Sequence, residues 1–297
     1  MDQSPVKLNP VTITIARPTR RGVAAGALAC GFIGGSVPVS GLLTHYPILA
    51  GQSARYAVGA VLIAVWAMAR RLPVTVPKLK DLPALLAVVG VGMIGFNIFL
   101  LTAQHHAEPG LVAAVIGGSP LVIALAAPLM SGARPAVRAL AGAALVVAGI
   151  VVLSGGGTWS GPGLLLAVLT MLCEASFTLF AIGVVRRLGT FSVALWCHVL
   201  AAVCAGLLAV PFDGVFRLPT TVELVAVLAV AVITVVAFCL WYHSVSVLGA
   251  GRAAVLIGVM PVSGLVVAVA LGAQPLTIVA LAGASIVAAG CAVGLRG

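Results

Sequence analysis

Apolar residues run almost unbroken along this chain in stretches of near twenty, and most charged residues fall in the short gaps between them. Ten such stretches occur, at about 22–43, 47–69, 83–104, 109–130, 135–154, 162–183, 190–210, 222–245, 250–272 and 275–295. An apolar run of that length crosses the hydrocarbon core of a bilayer as a helix, so the pattern predicts ten transmembrane helices. On one side of the membrane the gaps are very short: Thr44-His45-Tyr46, Gln104 to Glu108, Gly155 to Gly161, the 211–221 stretch and Ala273-Gln274. Such tight connections make successive helices antiparallel neighbours. On the other side the longest gap is 70–82, with Pro73, Pro77, Lys78 and Lys80. Residues 1–19 are polar, hold Pro5, Pro10 and Pro18, and predict a flexible tail.

The stretch Gly110 to Pro120, GLVAAVIGGSP, returns 141 positions later as GRAAVLIGVMP, Gly251 to Pro261. The same offset carries Ala139–Gly149 onto Ala280–Gly290, with 8 of 11 residues identical, which marks a duplication. The sequence therefore divides into a tail (1–20), a first repeat (21–156) and a second repeat (157–297), each repeat holding five helices. Because five is odd, the second repeat begins on the opposite side of the membrane from the first. The expected fold is an all-α membrane protein of ten transmembrane helices in two inverted five-helix repeats, an arrangement that in many transporters places a substrate site near the midplane between the halves. Pro120 and Pro261 fall in the middle of equivalent apolar runs. A proline there is tolerated in a membrane when neighbours or cavity water satisfy the freed carbonyl, so both are expected to be hinges beside a cavity.

Composition agrees with the pattern: of 297 residues 62% are hydrophobic and 7% charged, far below the roughly 25% charge of a soluble domain. Mean hydropathy is +1.25. A net charge of +10 could signal nucleic acid, but its placement points to topology instead. Lys7, Arg17, Arg20, Arg21, Arg70, Arg71, Lys78, Lys80, Arg134, Arg138, Arg186, Arg187, Arg252 and Arg296 fall on one side, leaving Arg217 on the other and Arg55 within a span. The positive-inside rule makes the basic side cytoplasmic, with both termini. Those charges can also contact anionic lipid heads. The six cysteines, Cys30, Cys173, Cys197, Cys204, Cys239 and Cys291, lie in apolar spans without metal-ligand spacing and read as packing residues.

Several local motifs dissolve in this context. Arg20-Arg21 before an apolar run and Leu28-Ala29-Cys30 resemble export-signal elements, but the run continues to Leu43, too long for a signal peptide. Gly90-Val91-Gly92-Met93-Ile94-Gly95 and Gly249–Ala254 match dinucleotide fingerprints but follow no strand, so no cofactor is expected. Glycines spaced four apart, Gly22/Gly26, Gly31/Gly35 and Gly290/Gly294, fit close helix packing within the chain or in a dimer. Nothing resembles a Ser/His/Asp set, an H-E-x-x-H zinc site or a P-loop, so enzymatic activity is not expected.

Charge inside a span is the stronger functional signal, since it needs a cavity or a partner. Arg55 lies in the second span with Gln52, Gly59 and Trp66 on its stripe; Glu174 lies mid-span in the sixth with Thr170, Phe177 and Thr178. Arg55 could receive a substrate carboxylate while Glu174 takes an amine or a coupling proton; alternatively the two form a fixed ion pair bracing the repeats. Aromatic residues make a second constellation: Phe96, Phe99, Phe177, Phe180, Trp196, Phe238, Trp241 and Tyr242. They would favour planar apolar side chains or organic cations, or else face lipid and its interface. Asn97 reads as helix-to-helix glue or a ligand contact. His105, His106, His198 and His243 read as solvated residues near the membrane faces, with gating or pH sensing as the alternative.

Together these residues resemble the drug/metabolite transporter superfamily, and within it the ten-helix EamA-type exporters. The carriers are the paired Gly-x2-Pro elements Gly117–Pro120 and Gly258–Pro261, the runs Gly142–Gly149 and Gly283–Gly290, and Arg55. Within that family the chain looks most like bacterial inner-membrane exporters of amino acids, the aromatic amino acid exporters included. The resemblance implies export of small zwitterionic metabolites through a central cavity, with the fifth and tenth helices peripheral. One departure is that the acid many members carry after the fourth and ninth helices is Ala133 and Gln274 here. The expected activity is alternating-access export of amino acids or similar metabolites, with Arg55, Asn97, Phe99, Glu174, Phe177, Trp241 and Tyr242 binding substrate. The alternatives are a proton-coupled exporter of cationic drugs using Glu174, and a non-transporting scaffold or receptor with a filled centre.

Overall fold

The computed structural model describes residues 19–40, 43, 46–106, 112, 115–130, 132–154, 160–214, 217–270 and 276–296. Helix occupies each of the ten predicted spans, and no strand occurs among the described residues. The helices are α1 (Arg20–Ser40), α2 (Ile48–Arg70), α3 (Leu82–Ala87, Val88–Gly95 and Phe96–Gln104), α4 (Ser119–Met130), α5 (Val137–Ser154), α6 (Gly163–Leu188), α7 (Thr190–Phe212), α8 (Thr221–Leu248), α9 (Ala250–Ala254, Val255–Gly258 and Val259–Ala270) and α10 (Ile278–Leu295). Most of the 1–19 tail and residues 44–45, 107–111, 155–159 and 271–275, including Glu108, Gly110 and Gln274, lie outside the described residues.

Linkers explain the antiparallel order. Gly189 alone joins α6 to α7, and Gly249 alone joins α8 to α9, at φ +83° and +79°. At those angles a Cβ is strained, so glycine permits the reversal in one residue.

Packing pairs show the duplication directly. α1 lies against α8 and α9, and its counterpart α6 lies against α3 and α4; α2 meets α7, and α5 meets α10. Exchanging the repeats maps this list onto itself, which is a pseudo-two-fold relation. Counterpart helices run antiparallel: Ser53 Oγ donates to Ala202 O at 2.8 Å, while further along α2 and earlier on α7 Trp66 meets the Phe191 ring edge-on at 5.4 Å. α5 and α10 behave alike, since a Cβ added at Gly142 would come 2.4 Å from Gly294 Cα and one at Gly149 2.7 Å from Val287 N. Two antiparallel counterpart pairs make the repeats inverted.

The core lies where the halves meet. Its largest apolar cluster joins α1, α2, α3, α6, α7, α8 and α9 through residues such as Tyr56, Leu85, Met93, Phe177, Val193 and Tyr242. Val146, Ile150, Val255 and Val287 form a separate cluster that ties α5 and α10 to α9. Outward faces stay apolar, as at Val210 and Ile278, 80% and 85% exposed, which fits a lipid surround. This is a multi-pass membrane protein.

Acidic residues secure both ends. At the basic end Asp81 accepts from Lys78 N at 3.0 Å and from Arg187 Nε at 2.7 Å, linking the start of α3 to the end of α6. At the other end Asp213 accepts from the amides of Leu49 and Ala50, at 3.2 and 2.6 Å, satisfying the free N-terminus of α2. There too Glu223 accepts from Thr220 N and from Arg217, whose guanidinium lies 5.0 Å from the Tyr46 ring centre. Hydrogen bonding to Glu223 holds the Arg217 guanidinium above its ordinary pKa.

Two details differ from the sequence expectation. The helix breaks come before the prolines: Gly117-Gly118 form a turn and Val255–Gly258 a 3-10 segment, so Pro120 and Pro261 sit in the first turn of Ser119–Met130 and Val259–Ala270. Proline is best tolerated in a first turn, where its fixed φ suits the helix. In α1 the expected Gly22 and Gly26 do pack closely, on Leu248 and on Leu256 and Ser244, but the second close approach falls at Gly34, where a Cβ would meet Met260 O, whereas Gly31 faces open space.

Candidate functional site

Three residues of one α2 stripe, Gln52, Arg55 and Tyr56, with Gly59 one turn on, lie between the start and the midpoint of α2, where Tyr56 meets Asn97 of α3 and His198 of α7. Arg55 donates through Nη2 to the Tyr56 hydroxyl at 2.6 Å, and its guanidinium carbon lies 4.5 Å from the Tyr56 ring centre. Asn97 of α3 donates to the same hydroxyl at 3.3 Å and to Met93 O at 2.7 Å. Asn97 thus joins α3 to α2 while completing a polar cluster around Tyr56, which is 1% exposed.

Local backbone form positions Asn97. Val88–Gly95 is a π-helix, a rare widened turn that recurs at functional sites. Glycines make room there: a Cβ at Gly92 would lie 2.7 Å from Phe177 Cβ and 2.8 Å from its Cα. α6 therefore presses directly onto the widened part of α3.

Aromatic rings continue from Tyr56 into the second repeat. Tyr56 meets the His198 ring at 5.6 Å and 82°, and His198 meets Phe238 at 5.0 Å. Phe238 reaches Phe177 at 4.9 Å, and Phe177 stacks on Tyr242 at 5.6 Å and 21°. Edge-to-face and offset contacts of this kind favour one arrangement of rings. Trp241 donates to Thr178 Oγ1 at 3.3 Å. Trp241 and Tyr242 are 4% and 0% exposed, so they back this wall and are not interfacial aromatics.

Several expected roles change. The salt bridges among the described residues are Arg187–Asp81 and Arg217–Glu223; Arg55 and Glu174 do not brace the repeats as a pair. Glu174 is partly buried on α6. His198 is not a solvated residue at a membrane face. It is fully buried, with Nδ1 2.8 Å from Ala194 O, because Gly59 leaves the space its ring fills. His105 and His243 are exposed. Phe99 is half-buried on α3, without a ring contact among the described residues. The break in α9 at Gly258 packs on Val146 and Val287. Tyr56 is the residue sequence reasoning passed over, and His198 the one it misplaced; the available signal for Tyr56 was a tyrosine adjoining an arginine well inside a span.

Among the described residues no group of His, Cys, Asp and Glu could hold a metal ion, and the six cysteines are unpaired. The chemistry on offer is a cation and hydrogen-bond donors on the first repeat, facing an aromatic wall from the second.

Comparison with known proteins gives a consistent picture. Residues 20–155 and 161–295 each match the sequence profile of the EamA-like transporter family. The uncharacterized transporter YetK of Bacillus subtilis (strain 168) is 25% identical over 281 residues, covering 89% of this chain and 83% of that protein. One solved crystal structure superposes with a TM-score of 0.77 over 92% of this chain and 96% of its own, at 22% identity, a likeness of fold alone.

Proposed function

The chain belongs to the EamA-like transporter family, and from that premise we propose that it exports amino acids with aromatic or other apolar side chains, or similar small metabolites, by alternating access in a bacterial inner membrane. The observation that carries this reading is the junction of the Arg55–Tyr56–Asn97 cluster with the ring series His198–Phe238–Phe177–Tyr242. Arg55 would take the substrate carboxylate, since its planar guanidinium matches a carboxylate as an ammonium does not. Phe177 and Phe99 would contact the apolar side chain, with Trp241 and Tyr242 fixing the wall behind. Glu174 supplies a second polar contact on α6. Pro120 and Pro261 would open the helices at equivalent breaks as the cavity changes sides.

Purified protein in liposomes tests this through counterflow of labelled phenylalanine against a panel of amino acids and organic cations. Phenylalanine and its apolar analogues are expected to exchange, and Arg55→Lys to lower kcat/KM by roughly a hundredfold. Exchange that is indifferent to Arg55→Lys removes the carboxylate role. A second reading is favoured by Glu174, an acid inside the bundle without a basic partner among the described residues: proton-coupled export of organic cations. Under it, cations exchange in place of amino acids, and Glu174→Gln abolishes the response to a pH gradient.

A further inference from the structure

Gln52 Oε1 and Arg55 Nε are both closed to solvent and bonded to nothing among the described residues. They stand one turn apart on the same α2 face. The Tyr56 oxygen beside Arg55 is already an acceptor twice, from Arg55 Nη2 and from Asn97 Nδ2. A phenol has two lone pairs and one proton, so with both lone pairs engaged the hydroxyl can only donate, and no acceptor for it occurs among the described residues. One small face therefore holds two unused donors, Arg55 Nε–H and Tyr56 O–H, beside one unused acceptor, Gln52 Oε1. Buried polar groups in native proteins are nearly always bonded, and this set is complementary to a ligand carrying two acceptor oxygens beside one N–H donor.

We propose that Gln52, Arg55 and Tyr56 form a single head-group site for an α-amino carboxylate. The carboxylate accepts from Arg55 Nε and the Tyr56 hydroxyl, and the amine donates to Gln52 Oε1. This rests on the amino acid reading above and refines it by assigning the amine to an uncharged amide on α2 rather than to Glu174 on α6. Neighbouring groups bound this face. Ser53 is committed to Ala202 O, the His198 ring closes the side toward Gly59, and Asn97 holds the Tyr56 hydroxyl in place. The ring series beginning at His198 then lies on the side where the substrate side chain extends.

The test uses the full chain in liposomes. Counterflow of labelled phenylalanine is inhibited by unlabelled phenylalanine or by 3-phenylpropionate, which keeps the ring and carboxylate but has no amine. Wild type is expected to prefer phenylalanine by roughly tenfold or more, the usual cost of leaving a built hydrogen-bonding group unpaired. Gln52→Leu should erase that preference by weakening phenylalanine while leaving 3-phenylpropionate where it was. Gln52→Met, close in shape and without an amide, gives the same readout should the leucine variant fail to reach the membrane. A preference that survives both substitutions, or that disappears instead in Glu174→Gln, overturns the assignment while leaving amino acid export standing. A wild-type protein that exchanges no amino acid removes the underlying reading and this site with it.

Discussion

At Gly59 the α2 backbone meets the His198 ring with no space to spare: a Cβ built there lies 2.5 Å from Cδ2 and 3.0 Å from Nε2. His198 in turn is fixed by Phe238 and by the edge of Tyr56. Gly59→Ala must therefore displace a ring that helps hold the polar cluster, an overpacking that costs roughly 1–3 kcal/mol. Its expected outcome is a folded but less stable protein with impaired exchange, read by thermal unfolding in detergent together with counterflow. Wild-type behaviour in both would show that the ring moves freely and does not position Tyr56. This residue also marks the limit of what the sequence reveals. Arg55 and Glu174 are visible because a charge inside an apolar run is conspicuous. Tyr56 and His198 are not, because nothing in their spacing announces that α2 and α7 cross there, and a lone histidine in a helix looks the same whether it is solvated or walled in.

Among the elements, α4 and α9 show how a local signal can be right in kind and shifted in place. Gly-x2-Pro marks a discontinuity in both repeats, yet regular α-helix gives way at Gly117-Gly118 and Val255–Gly258 while each proline falls in the first turn of the helix that follows. Proline fits a first turn and is costly in a helix interior, so the irregularity falls on the residues before it. The π-helix in α3 was hidden, because glycines at 90, 92 and 95 read equally well as packing residues; only the approach of Phe177 shows why the turn is wide. At the α5–α10 seam the sequence marked Gly290 and Gly294 for close packing without naming a partner, and the structure supplies it: Gly142 and Gly149 meet the backbone of α10. If the breaks serve movement, Pro120→Ala and Pro261→Ala supply an amide that lets helix propagate back across them. Each should slow exchange by about tenfold while the unfolding midpoint shifts by less than about 4 °C. Equal exchange rates in both variants and wild type would leave the breaks as packing features only.

For the whole molecule, inversion is a matter of geometry and orientation a matter of charge. α2 against α7 and α5 against α10 run antiparallel whichever way the protein is inserted. The hydrophobic pattern foretold this much, since five helices per repeat leave no other choice. Orientation follows from the distribution of arginine and lysine. One end carries Arg20, Arg70, Lys78, Arg138, Arg187 and Arg296, and the structure joins several of them there: Arg138 reaches Arg296 O at 3.4 Å, and Arg187 bonds Asp81. Arg217 lies at the far end, bonded to Glu223. Basic residues resist translocation, so the crowded end is expected in the cytoplasm. Val76, 69% exposed in the long linker at that end, and Leu218, 78% exposed at the other, are convenient reporters. In a variant whose six cysteines are replaced, Val76→Cys should react with an impermeant maleimide only after cells are permeabilised, whereas Leu218→Cys should react in intact cells. The opposite labelling would reverse the direction assigned to the transporter in the membrane. It would leave the inverted repeat and the head-group site on α2 intact, because neither depends on which end faces the cytoplasm.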